Sequence, residues 1–263
     1  MPSARDWTSA RADTTDPFTA TIAAELPALT RLARRLAGDQ QEAEGALQDA
    51  LERAWRARGQ LRDQRAAGAW LRSILTRAVI DRQRRRHDLP VGAPDSLESM
   101  LPDVAEPGAV IEAAEDESTL RAALRELSDA DRLAVVLHDG EGWPAAEVAA
   151  LLGASNEATF KRTQRARSRL VSALAVGTAS PECPGSGCKA ARARAHELLD
   201  GVLSDAEHAA IRAHLDSCPC CPAALQATAG VLAALAKQQQ LEPVPETVRA
   251  RLEELVRSAQ ATA

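Results

Sequence analysis

Nowhere along the 263 residues do apolar and polar side chains alternate strictly for long enough to build a half-buried strand. That pattern constrains the fold more than any single motif. Composition agrees with it: there are two Phe, no Tyr and four Trp (Trp7, Trp55, Trp70, Trp143), while Ala, Leu and Arg are abundant. Ala, Leu and Arg favour helices, whereas aromatic and β-branched residues favour strands. The chain is therefore predicted to be all-α, and its length suits two or three small domains.

Proline, glycine and capping residues divide the helical pattern. Residues 1–16 are polar and read as a disordered N-terminus. Asp16-Pro17 opens a helix that runs to Leu36, with Gly38 as its stop. Asp39 caps a second, amphipathic helix over 40–57 that Gly59 ends. A third carries Trp70, Leu71, Ile74, Leu75, Ala78 and Val79 and closes on "DRQRRRH". Residues 91–119 hold the prolines and acids of a linker with a short helix at its end. Ser128 caps the next helix, "WPAAEVAALLGAS" gives a short one, and "NEATFKRTQRARSRLVSAL" gives a basic one. A short helix, a glycine turn and a basic helix form the helix-turn-helix pattern. A further linker covers 177–187, and a helix pair spans about 222–240 and 244–260, broken by Pro243 and Pro245.

The formal net charge of −5 conceals a segregation. Ten Arg lie between Arg56 and Asp88 against three Asp, whereas residues 89–120 carry eight acids and no Lys or Arg. Residues 158–180 carry five basic residues and no acid. Two basic blocks around an acidic spacer predict two nucleic-acid-facing modules. No apolar run approaches the ~20 residues of a membrane span. The N-terminus lacks the apolar core of a secretory signal, so a cytoplasmic protein with reduced thiols is expected.

The ordered set "LARRLAGDQQEAEGALQDALERAWR", "AWLRSI", "IDRQRRR", "LRELSDADRLAVVLHDGEGWPAAEVAALLGAS" and "RARSRL" resembles the extracytoplasmic-function (ECF) sigma factors. Residues 17–90 look like region 2 and residues 120–176 like region 4. The resemblance implies that helix 40–57 docks on core RNA polymerase, with Gln48, Asp49, Arg53 and Trp55 at or behind that surface. The loop 58–68 and the helix of Trp70 would open the minus-ten element of promoter DNA and hold its bases, with Arg62, Arg65, Arg72, Arg77 and Arg82 as cations. Residues 155–167 would enter the major groove of the minus-thirty-five element, with Ser155, Asn156, Lys161, Arg162, Arg165 and Arg167 in contact. The chain departs from the family at Gly45, acidic in most relatives, and at Thr76-Arg77, where relatives carry Arg-Asn. It departs again where family apolar positions fall on Thr159 and Thr163 and a usual Lys on Phe160. Either the helix is rotated, with Phe160 in the core, or region 4 reads DNA atypically.

Three cysteines and a histidine fall within "HLDSCPCC", residues 214–221. His214-x3-Cys218-x2-Cys221 with the remote Cys188 can close a tetrahedron on Zn²⁺, because residues four apart share a helix face. The stretch resembles the zinc-binding anti-sigma fold of the HxxxCxxC type, which implies a domain over 188–240 followed by a C-terminal helix over 241–263. Three readings stay open: buried apolar cysteines, structural zinc, and zinc with regulation. In the last, this domain contacts region 2 or region 4, and oxidation of Cys218 and Cys221 expels the metal. Cys220 reads as a bystander and Cys183 as a bystander or a resolving thiol. His196 and His208 read as solvated helix residues, and His87 and His138 as single and unremarkable. Four protein ligands leave no position for a reactive water, and no nucleophilic triad or phosphate loop is present, so no enzyme is expected. Two other functions fit the same residues: a helix-turn-helix regulator that does not bind polymerase, and a zinc- or redox-responsive adaptor.

Overall fold

The computed structural model describes residues 17–86, 101–102, 104, 106–175, 186–237 and 243–260, and among them every regular element is helical. In chain order, α1 is Pro17–Leu36, α2 Gln40–Arg56, α3 Ala67–Arg86, α4 Pro107–Glu115, α5 Glu117–Arg125 and α6 Asp129–Val135. Then come α7 Ala145–Leu152, α8 Asn156–Leu174, α9 Ser186–Leu199, α10 Asp205–Ser217, α11 Cys221–Ala236 and α12 Glu246–Gln260. Two compact units result: one takes the chain up to Leu89 together with the segment from Gln238, the other takes Pro90–Lys237.

In the first unit, Ile22, Leu26, Leu29, Leu32 and Leu36 recur at helical spacing on α1 and are buried. They share a core with Leu47, Leu51 and Ala54 of α2 and Leu71, Leu75, Ala78 and Val79 of α3. Each large apolar side chain among them contributes about 1.5–3 kcal/mol on burial. Asp39 caps α2 by accepting the Glu42 N–H at 2.8 Å. That helix ends at Arg56, and Gly59, expected as its stop, sits in a separate single turn over Arg58–Gln60. Ion pairs staple α3 to α2: Arg82 to Glu42 and Asp49, Arg86 to Glu42, and Arg53 to Asp81. A Cβ on Gly45 would lie 2.5 Å from the Arg82 Nη2, so glycine at this departure from the family pattern leaves room for the Arg82 staple. Helix α12 lies against α2 in the same unit, with Val248 and Leu252 buried.

The second unit begins earlier than the acid-rich sequence suggests. Residues 107–115, in the linker stretch expected to end in a short helix, form α4, with Pro107 at its start and Val110 and Ala114 buried. The acids Glu112 and Glu115 face solvent and mask the i, i+4 apolar pair that faces inward. Leu101 is likewise built in, packed with Ala195, Ala224 and Leu225. Helix α11 crosses α4 so closely that a Cβ on Gly230 would stand 2.3 Å from Ile111 Cγ1.

The helix-turn-helix forms where the residues place it. Ser128 caps α6, whose last residues widen into a π turn over Val136–Gly140. Helix α7 stops at Gly153, whose φ of 67° suits glycine, and Ser155 caps α8 by accepting the Ala158 N–H at 3.1 Å. Farther on, α9 ends at a turn with Gly201 at φ 67°, and a reciprocal Ser204–Glu207 capping box starts α10. Among the described residues, no single helix is long and apolar enough to cross a membrane.

Candidate metal centre and nucleic-acid faces

Three helices converge on one cluster. Cys188 comes from the first turn of α9, His214 from the last turn of α10, Cys218 from the residue after α10, and Cys221 from the start of α11. Their ligand atoms all lie within 4.8 Å of one another. The Cys188 and Cys218 sulfurs are 3.6 Å apart, and His214 Nε2 is 3.4 Å from Cys221 Sγ. Bonds of about 2.3 Å from a tetrahedral zinc imply sulfur–sulfur edges of about 3.8 Å, so the donor set has the size and chemistry for that ion. The Cys221 backbone N–H, donating at 3.4 Å, is the main cause that holds the Cys218 thiol down at about 6. Burial pushes the Cys221 thiol the other way. The sulfur of Cys220, read as a bystander, stands 3.8 Å from Cys218 Sγ, and Cys183 and His87 lie outside the described residues.

Two histidines differ from expectation. His196 is fully buried rather than solvated, with its Nε2 3.0 Å from Ser168 Oγ on α8. Burial, reinforced by the positive Arg167, lowers its pKa to about 4. His138 Nδ1 is 2.9 Å from the Trp143 carbonyl, which ties the turn before α7.

On the first unit, Gln48, Asp49, Arg53 and Trp55 are half-exposed on α2. Asp49 pairs with Arg82 and Arg85, and Arg53 with Asp81. Thr247 of α12 donates to Glu44 at 2.9 Å, and Arg251 pairs with Glu52. Glu44, Gln48 and Glu52 stand at i, i+4 and i+8, so α12 lies along the stripe that carries Gln48. At the other end of α2, Phe18 gathers Trp55 at 5.9 Å and Trp70 at 6.2 Å, and the Arg58 guanidinium lies 5.1 Å over the Trp55 ring. Arg62, Arg65 and Arg77 are exposed, Arg72 stands 4.0 Å from Glu25, and Arg82 is taken up by its α2 carboxylates.

Region 4 departs from its sequence-based residue set. Ser155, Asn156 and Lys161 remain open to solvent to differing degrees. Arg162, Arg165 and Arg169 all donate to Asp131, which is 1 % exposed. Arg165 and Arg167 are buried, and so they do not face a groove as expected. Arg167 donates to Asp139 at 2.9 and 2.6 Å and to Asp200 at the end of α9 at 3.0 and 2.7 Å. Burial by itself lowers its pKa, but the two carboxylates outweigh it and raise the pKa above the ordinary value. These carboxylates were legible only as capping and turn acids in "SDAD", "HDG" and "LDG". Thr159 and Thr163 are buried and Phe160 is half-exposed, so α8 keeps the family register and is not rotated.

Residues 21–88 match the Sigma-70 region 2 model, residues 118–170 the Sigma-70 region 4 model, and residues 188–221 a zinc-finger family model. ECF RNA polymerase sigma factor SigM of Mycobacterium tuberculosis is 38% identical over 146 residues, 56% of this chain and 71% of SigM. SigL of the same organism is 36% identical over 135 residues, 51% of this chain and 74% of SigL. A solved structure of the sigma factor RpoE with the anti-sigma factor NepR from Bartonella quintana aligns over 59% of this chain and 95% of that chain, at 28% identity and a TM-score of 0.41. The chain belongs to the ECF RNA polymerase sigma factors, which are initiation factors and not enzymes, and it carries a C-terminal zinc-finger domain.

Proposed function

We propose that this sigma factor directs core RNA polymerase to promoters through the α2 face around Gln48, Asp49, Arg53 and Trp55, and that its own C-terminal helix competes for that face. The contact of α12 with α2 carries the reading: Thr247 and Arg251 hold Glu44 and Glu52, one turn on either side of Gln48. Minus-ten contacts fall to the exposed Arg62, Arg65 and Arg77 with the Trp70 platform, and minus-thirty-five contacts to Ser155, Asn156 and Lys161. Arg162 is half-buried and shared with Asp131, so its contact with DNA requires exchange of that bond. Cys188, His214, Cys218 and Cys221 hold Zn²⁺, which supplies a closed structural link among α9, α10 and α11. The module so held bears on region 4 through Asp200 and Arg167.

The test uses the full chain with Val248→Asp and Leu252→Asp, which place charges where these side chains are buried. Release of α12 is expected to tighten binding to core polymerase by at least ~10-fold, because apparent affinity scales with the fraction of open molecules. Unchanged affinity with α12 displaced would remove the competition and leave the initiation role standing.

A further inference from the structure

Helix α8 is most exposed at its N-terminal end. Its buried residues run without a break from Thr163 to Arg167, and the arginines at 162, 165, 167 and 169 are held by Asp131, Asp139 and Asp200. At the N-terminal end of the helix, Asn156, Glu157 and Lys161 are exposed and Phe160 is half-exposed. Glu157 and Lys161 pair with each other at 2.7 Å, which largely cancels their charge. Phe160 is the large apolar side chain on this stretch, half-exposed while its neighbour Thr159 is buried. A helix in the major groove reads bases with its N-terminal residues, and the apolar feature displayed there is the C5 methyl of thymine.

We propose that Phe160 is a specificity-determining residue of region 4, selecting thymine by contact with its C5 methyl. This rests on the reading that α8 enters the major groove. It assigns base discrimination to an apolar contact, where a basic residue at the same position would reach phosphate or guanine. Burial of Thr159 and Thr163 fixes the rotation of the helix, so Phe160 cannot turn into the core to avoid the groove.

The experiment measures binding of the holoenzyme, full chain plus core polymerase, to duplexes that it selects from genomic DNA. Each thymine of the protected minus-thirty-five segment is replaced in turn by deoxyuridine, which lacks the methyl. Wild type is expected to lose about 3- to 5-fold in affinity at one or two positions, the value of one buried methyl. Phe160→Ala is expected to bind thymine and deoxyuridine duplexes equally, while Phe160→Leu retains a difference. Equal binding by wild type, or a difference that persists in Phe160→Ala, would overturn the proposal, and the wild-type comparison stands even if a variant misfolds. Selection of no duplex with a protected minus-thirty-five segment would instead bring down the major-groove reading itself.

Discussion

Arg167 is the most consequential single side chain to remove. Its side chain is 2% exposed, and it forms paired hydrogen bonds with Asp139, 7% exposed, and Asp200, 16% exposed. Arg167→Met keeps most of the volume but leaves two carboxylates without their shared cation. Stranding buried charge in this way costs about 3–5 kcal/mol. For a unit of this size each kcal/mol moves the melting temperature by roughly 2–4 °C, so a fall of about 6–20 °C is expected. Asp200→Asn is the milder change, because Arg167 keeps Asp139, and about 1.5–3 kcal/mol is expected for loss of the charged hydrogen bonds. Thermal unfolding of the metal-loaded full chain, followed by circular dichroism, ranks the two. A fall below ~2 °C for Arg167→Met, or an equal loss in Asp200→Asn, would refute the reasoning that a doubly shared buried cation holds α8.

Three further outcomes follow from the same physics. His196 titrates near its ordinary value when unfolded and at about 4 when folded, so between these values the unfolded chain binds the extra proton. Stability of the second unit is therefore expected to fall as pH drops below ~6.5, by about 2 kcal/mol at pH 5, and urea titration of His196→Gln should show that slope removed. Chelation of the full chain is expected to make Cys188, Cys218 and Cys221 reactive and to melt α9–α11 first, seen by thiol titration and hydrogen exchange. Gly230→Ala is expected to cost about 1–3 kcal/mol through the clash with Ile111, and Ile111→Ala in the same chain should relieve that clash, so that the double variant is no less stable than Ile111→Ala alone.

The helices were legible because their caps are local: Asp39 and Ser128 each accept the amide predicted by spacing. The Cys/His cluster was legible for a similar reason, since His214, Cys218 and Cys221 fall close together in the chain. What stayed hidden depends on partners far along the chain. Nothing near Arg167 announces Asp200, 33 residues away, and nothing near Glu52 announces Arg251, 199 residues away. A short helix at the end of the acidic linker was expected, but its packing was obscured, because surface acids dominate the composition while Val110, Ile111 and Ala114 make the contacts. His196 looked solvated because its burial comes from α8, not from its own helix.

Helix α9 carries Cys188 of the candidate metal centre near one end, and the Asp200 carboxylate follows directly on the other. The helical rise between Cys188 and Asp200 makes a rod of about 18 Å. A rod pinned at the ligand cluster behaves as a pointer: a tilt of ten degrees, roughly, sweeps its far tip by about 3 Å, beyond the reach of a 2.7–3.2 Å hydrogen bond. If the four residues hold zinc as proposed, a shift at that cluster would reach, magnified, the helix that follows the turn of the helix-turn-helix.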